Sequence, residues 1–146
     1  EHLIELCEEF GVRRVRIVKD RIRLNLKLDR SNLVIKLVWG VVFNLLGTYC
    51  ERQLRGRQFL YPSRTYGLLQ TGRMSESYLL KLIPQIEKTA SEIYAHPLAP
   101  DADAKARQEN PGGSSELQAL LSARVREAVR AAGFELAAYD KLTGGP

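Results

Sequence analysis

The chain has 146 residues, 45% of them apolar and 27% charged, with a formal net charge of +5. That is long enough for one domain with a hydrophobic core, and too apolar for general disorder. Two cysteines, Cys7 and Cys50, lie far apart and form no CxxC pair, so they read as free thiols of a reducing compartment and not as a disulfide scaffold.

From residue 1, Leu3, Ile4, Leu6, Cys7 and Phe10 keep helical spacing, and Gly11 follows as a C-cap. A chain that opens on Glu1 inside a helix reads as a piece of a longer one. "VRRVRIV" then predicts a strand near 13–18. In "KDRIRLNLKLDR", Ile22, Leu24, Leu26 and Leu28 alternate as in a strand, while Ile22 and Leu26 also fit a helical pair; both remain open. The first 73 residues hold 14 Lys/Arg against 7 Asp/Glu, whereas the last 73 hold 8 against 10. With no aromatic interleaving or zinc spacing, this basic excess suits a solvated face, phosphate groups or anionic lipid, and nucleic acid is not expected.

"SNLVIKLVWGVVFNLLGTYCERQL" is the most apolar segment, with Ser31 or Asn32 as its cap. Its length barely allows a membrane span, and Lys36 and Asn44 would be costly in hydrocarbon. A helix buried in a core or oligomer interface is one expectation. The other is peripheral membrane contact through 33–46, because Lys27 and Arg30 precede the run and Arg52, Arg55 and Arg57 follow it. Tyr66–Leu69 predicts a short strand, "TGRMS" a turn around Gly72, and Ser75 the cap of a helix ended by Pro84. A strand "SEIYA" follows, then His96-Pro97.

Residues 99–115 predict a long mobile loop, and Ser115-x-x-Gln118 a capping box. Leu117, Leu120, Leu121, Val125 and Val129 give the next helix a buried stripe, Gly133 ends it, and "FELAAYDKL" predicts a last strand. The alternation implies an α/β fold with parallel strands covered by helices, residues 1–146 forming one domain fragment. No GxGxxG or P-loop pattern is present.

In such folds reactive groups gather at the carboxyl ends of strands, where His96 falls. Pro97 pushes it toward extended geometry, and an imidazole suits general acid or base work. A hydrogen-bonded structural histidine is the competing reading.

"YGLLQTGRMSESYLLKLI" followed by "SEIYAHP" resembles the YdjC-type carbohydrate deacetylases, and within them the branch associated with hopanoid biosynthesis. Tyr66-Gly67-Leu68, Thr71-Gly72-Arg73-Met74-Ser75, Glu92-Ile93 and His96-Pro97 carry the resemblance. Arg16 fits the family's strand arginine, while Val18 replaces its usual proline. The resemblance implies the C-terminal portion of a (β/α) barrel-like fold and hydrolysis of an N-acetyl group from an amino sugar or glycolipid. It makes His96 the catalytic candidate and Arg16, Tyr66, Thr71 and Arg73 candidates for substrate contact or support. It also implies a divalent metal, Mg or Zn, whose ligands lie upstream of Glu1; His2 reads as a helix residue and not a ligand. The expected location is the cytoplasm, peripheral to the inner membrane, and half a barrel alone is expected to aggregate or to pair into homo-oligomers. The alternative is a non-catalytic membrane-surface or partner-binding module.

Overall fold

Three stretches of extended backbone run side by side in the same direction, and they set the frame for everything else. A computed structural model describes residues 2–142. Strand β1 (Arg64–Tyr66) pairs in parallel with β2 (Ser91–Ile93), with Thr65 opposite Glu92. The predicted strand at 13–18 is an extended segment joined to the chain before β1 by a single parallel bridge, Arg14 to Leu60. Further along, the Thr65 N–H donates to Lys19 O and the Thr65 hydroxyl to Ile17 O. Its carboxyl end therefore lies level with those of β1 and β2. This is a mixed helix and strand architecture with parallel pairing, as expected of an α/β chain.

Helices fill the connections. Helix α1 (His2–Glu9) precedes the first extended segment, and Cys7 and Cys50 are both free. The ambiguous stretch is helical: α2 spans Ile22–Leu28, with Leu24 and Asn25 buried. Helix α3 (Leu33–Leu54) returns the chain to the start of β1. After β1, Gly67 takes φ 100° and a 3-10 turn covers Leu68–Gln70, so the strand predicted at Tyr66–Leu69 starts and ends earlier. A Cβ on Gly67 would sit 2.5 Å from Tyr94 O, so glycine lets the ends of β1 and β2 close on each other. Helix α4 (Glu76–Leu82) starts where expected, with Ser75 accepting from the Tyr78 N–H, and gives way to a 3-10 turn at Pro84.

The main core gathers around α4. Tyr66, Met74, Leu79, Leu82 and Ile83 are almost wholly buried, against Ala119 and Val125 from later helices. A smaller cluster joins Ile17, Leu54 and Phe59.

The second half departs further from expectation. Residues 99–115 contain a helix, α5 (Ala104–Glu109), capped by Asp103 accepting from Ala106 N–H. Helix α6 (Gly113–Leu121) starts two residues before Ser115, so no capping box forms there. Ser122 breaks the predicted single helix and caps α7 (Ala123–Ala131). The break turns the stripe: Val125 stays buried, whereas Leu120 and Leu121 are exposed. Gly133 ends α7 at φ 73°, and "FELAAYDKL" forms no strand but a 3-10 turn at Tyr139–Lys141.

Helix α3 is inverted. Its Lys36, Gly40 and Gly47 face the protein, while most of its large apolar side chains face outward. Lys36 is 4% exposed and its Nζ donates to Asp29 Oδ2, Asp29 O and Gln70 Oε1, at 2.9, 3.0 and 2.7 Å. Hydrogen bonds from Ser31 and then Lys36 hold the Asp29 carboxyl well below the usual carboxylate range. Lys36→Met leaves Asp29 and Gln70 without this cation and should cost about 2 kcal/mol; breaking a fully buried pair costs more, but the Asp29 side chain is 26% exposed. A depressed carboxyl contributes stability above its unfolded value and loses it as pH falls toward the folded one. Urea melts should therefore show the gap between wild type and Lys36→Met narrowing below about pH 5.

Candidate functional site

His96 lies three residues beyond β2, in chain that continues the strand: the Tyr94 N–H still donates to Tyr66 O. Alternation puts Glu92 and Tyr94 on one face of this strand, and the His96 ring follows Tyr94. Their rings meet edge to face with centroids 4.6 Å apart, and Tyr94 Oη lies 3.0 Å from His96 Nε2. His96 Nδ1 is sheltered from solvent and has no hydrogen-bond partner among the described residues. The ring is thus neither loose on the surface nor sealed among aliphatic groups.

Arg16 arrives at the same face from the first extended segment. Its guanidinium lies 5.2 Å from the centre of the Tyr94 ring, a cation–π distance. Its fork is occupied by Glu92: Nε donates to Oε2 at 2.8 Å and Nη2 donates to Oε1. The hydrogen bond to Glu92 raises the guanidinium above its already high value, so Arg16 is a permanent cation. Glu92 also accepts from the Tyr139 hydroxyl at 2.6 Å. Burial, then that hydrogen bond, pushes the Tyr139 hydroxyl up to about 12, so it remains a donor at neutral pH. Arg16 and His96, far apart in sequence, therefore meet through Tyr94. The carboxylate that Arg16 orients belongs to the protein itself.

Underneath lies Glu116, 0% exposed, in the first turn of α6. It has no ion-pair partner among the described residues. Instead Oε2 accepts from the His96 N–H at 2.6 Å and Oε1 from the Met74 N–H at 3.2 Å. These bonds satisfy both side-chain oxygens and offset the hydration that burial removes. Asn110 completes the cradle by donating to His96 O at 2.8 Å. The backbone of His96 is thus held on both sides.

The remaining candidates are more local. Tyr66 is a core residue, 1% exposed, whose hydroxyl accepts from the Glu87 N–H, a position that suits support from within and not open contact. Thr71 caps its own turn by donating to Leu68 O. Arg73 is exposed and donates to the Ser31 hydroxyl at 2.7 Å, joining this turn to the head of α3. Neither touches the His96 ring, although their turn supplies Met74 to Glu116. His2 is exposed on α1 beside Glu5. Among the described residues no three His, Cys, Asp or Glu side chains converge, so they do not by themselves fit a divalent metal.

Tyr94, Glu116, Asn110 and Tyr139 escaped the sequence reading. Asp20 did too: 4% exposed at the carboxyl end of the first extended segment, it accepts from the Arg21 and Leu69 N–H groups, and burial pushes its carboxyl up. The alternation through Glu92, Tyr94 and His96 was a usable signal for Tyr94. Nothing in "SSELQALL" separates Glu116 from a solvated helix acid.

Glu116→Gln replaces one acceptor oxygen by a donor, so the N–H of Met74 or of His96 loses its partner. The expected cost is about 1–3 kcal/mol. Amide exchange at Met74 or at His96 should accelerate, beyond any change in the α4 amides. Unchanged protection at both would show that Glu116 does not hold them.

The model of the family described as "YdjC-like protein" matches residues 1–131. No curated protein and no solved structure matches the chain. The match contains Arg16, Glu92, Tyr94, His96 and Glu116, while Tyr139 lies outside it. With nearly its whole length matched, the chain belongs to the YdjC-like family, a membership that points to a carbohydrate deacetylase-type hydrolase.

Proposed function

We propose that this chain carries the proton-donating side of a metal-dependent deacetylase that removes an N-acetyl group from an amino sugar, on a glycolipid of the hopanoid class. The observation that carries the reading is the juncture of His96 and Tyr94, just beyond the carboxyl end of β2, with Arg16 from the neighbouring extended segment, in a YdjC-like chain. The divalent metal, Mg or Zn, would be held by residues outside this sequence, and the step assigned to this chain does not involve it.

Amide hydrolysis needs a proton delivered to the departing nitrogen, because an amine anion is a very poor leaving group. His96 Nδ1 is sheltered and Nε2 faces the Tyr94 hydroxyl, so the route outward from the imidazole is through that hydroxyl. As the C–N bond breaks, the nitrogen takes the Tyr94 proton and Tyr94 takes the Nε2 proton of the imidazolium. The phenol is restored and the imidazole ends neutral. The acetyl carbon, having gained the hydroxide of a water whose other proton went to a base outside this cluster, leaves as acetic acid, which ionises in solution. The base then loses its proton, and His96 regains one from solvent before the next turnover. Arg16 supports the Tyr94 ring from its face, and Glu92 fixes Arg16.

The competing reading, a non-catalytic module that binds a membrane or partner, is favoured by the outward apolar face of α3. Kinetics separate the two. In the natural full-length protein, His96→Ala should lower kcat for deacetylation of an N-acetylglucosaminyl lipid by about 10²–10⁴-fold with little change in KM. Tyr94→Phe should fall in the same range, whereas Thr71→Ala should leave kcat near wild type. An unaltered rate for His96→Ala would remove it from the mechanism. A full loss for His96→Ala with none for Tyr94→Phe would mean that His96 acts directly.

A further inference from the structure

Helix α3 is 22 residues long and has a mean hydropathy of 1.7 over its most apolar window, yet only 17% of that window is buried. Its outward positions are ordered. Val34, Val38, Val41, Leu45 and Tyr49 recur at helical spacing along one stripe, and Ile35, Trp39 and Leu46 run beside it. Leu45 is 67% exposed and Trp39 51%. A single domain leaves so large a contiguous apolar face in water only at a cost, and such faces mark interaction surfaces.

We propose that this face lies flat on an anionic lipid bilayer. Two features set that partner. First, the helix does not span on its own: its polar side is committed to the protein. Lys36 is bonded to Asp29 and Gln70, and Asn44 donates to Asp20 O. A Cβ on Gly47 would sit 2.7 Å from Val18 O, so the helix backbone rests against the first extended segment. Crossing the membrane would strip these groups, whereas lying in the interface keeps them. Second, the exposed charges without ion-pair partners at the helix ends have one sign, because the flanking Asp29 and Glu51 are bonded to Lys36 and Lys19. No Asp or Glu occurs from residue 30 to 50. Arg30, Arg52 and Arg55 are exposed and form no ion pair among the described residues, and Arg52 continues the apolar stripe one turn beyond Tyr49. Cations beside an apolar helix face match a headgroup layer carrying negative charge. Trp39 and Tyr49 supply the amphipathic rings that favour that layer. The inference rests on α3 and not on the deacetylase reading.

Flotation of the purified natural full-length protein with vesicles tests it. The protein should float with phosphatidylcholine vesicles containing phosphatidylglycerol, less so with phosphatidylcholine alone, and less again at high salt. The emission of Trp39, the single tryptophan of this sequence, should shift to the blue on binding. The double variant Val38→Asp with Leu45→Asp should partition at least about tenfold more weakly, because each carboxylate would enter the acyl boundary. Arg52→Glu with Arg55→Glu should remove the preference for anionic vesicles. All four positions are exposed, so thermal melts should match wild type, and a variant with an altered melt would be replaced by Val41→Ser. Absence of flotation, or equal flotation by wild type and the Asp variant, would overturn the proposal. So would a dimer in sedimentation that the Asp variant converts to monomer without any vesicle binding, which would make the face a contact between copies.

Discussion

Glu116 is the point on which the site depends. A carboxyl group removed from water with no cation beside it keeps its oxygens satisfied only if they accept hydrogen bonds from the protein. Here both oxygens do so from backbone N–H groups, one from the turn before α4 and one from the chain just beyond β2. One side chain on α6 thus joins two segments more than 20 residues apart. It also explains why His96 can stand at a strand end without fraying: its N–H goes to Glu116 and its C=O to Asn110. The ring is then free to be oriented by Tyr94 alone.

A second polar network holds the opposite flank. Lys36, Asp29 and Gln70 form a buried cluster between α3 and the turn after β1, and Arg73 reaches across to Ser31. The turn 71–74 is therefore fastened to the α3 side through Arg73 and to α6 through Met74. Polarity turned inward and hydrocarbon turned outward reverse the usual arrangement of a surface helix. The low exposure of Lys36 makes sense as the means by which an apolar helix is anchored by its one polar side.

Sequence made some of this legible and hid the rest for identifiable reasons. Ser75 and Pro84 bracket α4 because caps and prolines act locally. His96 was locatable because Pro97 and the alternation before it mark a strand end. Arg16 was legible as a strand residue but not in its role: its commitment to Glu92 depends on two segments 76 residues apart. Tyr66 closes β1 and packs in the core with Tyr78, Leu79 and Leu82 of α4, a burial that its motif does not signal. In 99–115, Ala, Asp and Pro suggested a loop, but Asp103 is a helix cap and the alanines after it propagate the helix. Ser122 sat inside a continuous helical pattern, and only its capping bonds reveal the break. Glu116 carried no signal at all, since burial of a lone acid is decided by the backbone groups that tertiary structure delivers to it.

The direct test of the central claim is a crystal structure of the natural full-length protein with an N-acetylated amino sugar bound. The account predicts the Tyr94 hydroxyl within hydrogen-bonding reach, about 3 Å, of the amide nitrogen, with His96 behind it. A substrate amide seated at the amino ends of the parallel segments, or walled off from Tyr94 by the Arg16–Glu92 pair, would contradict it.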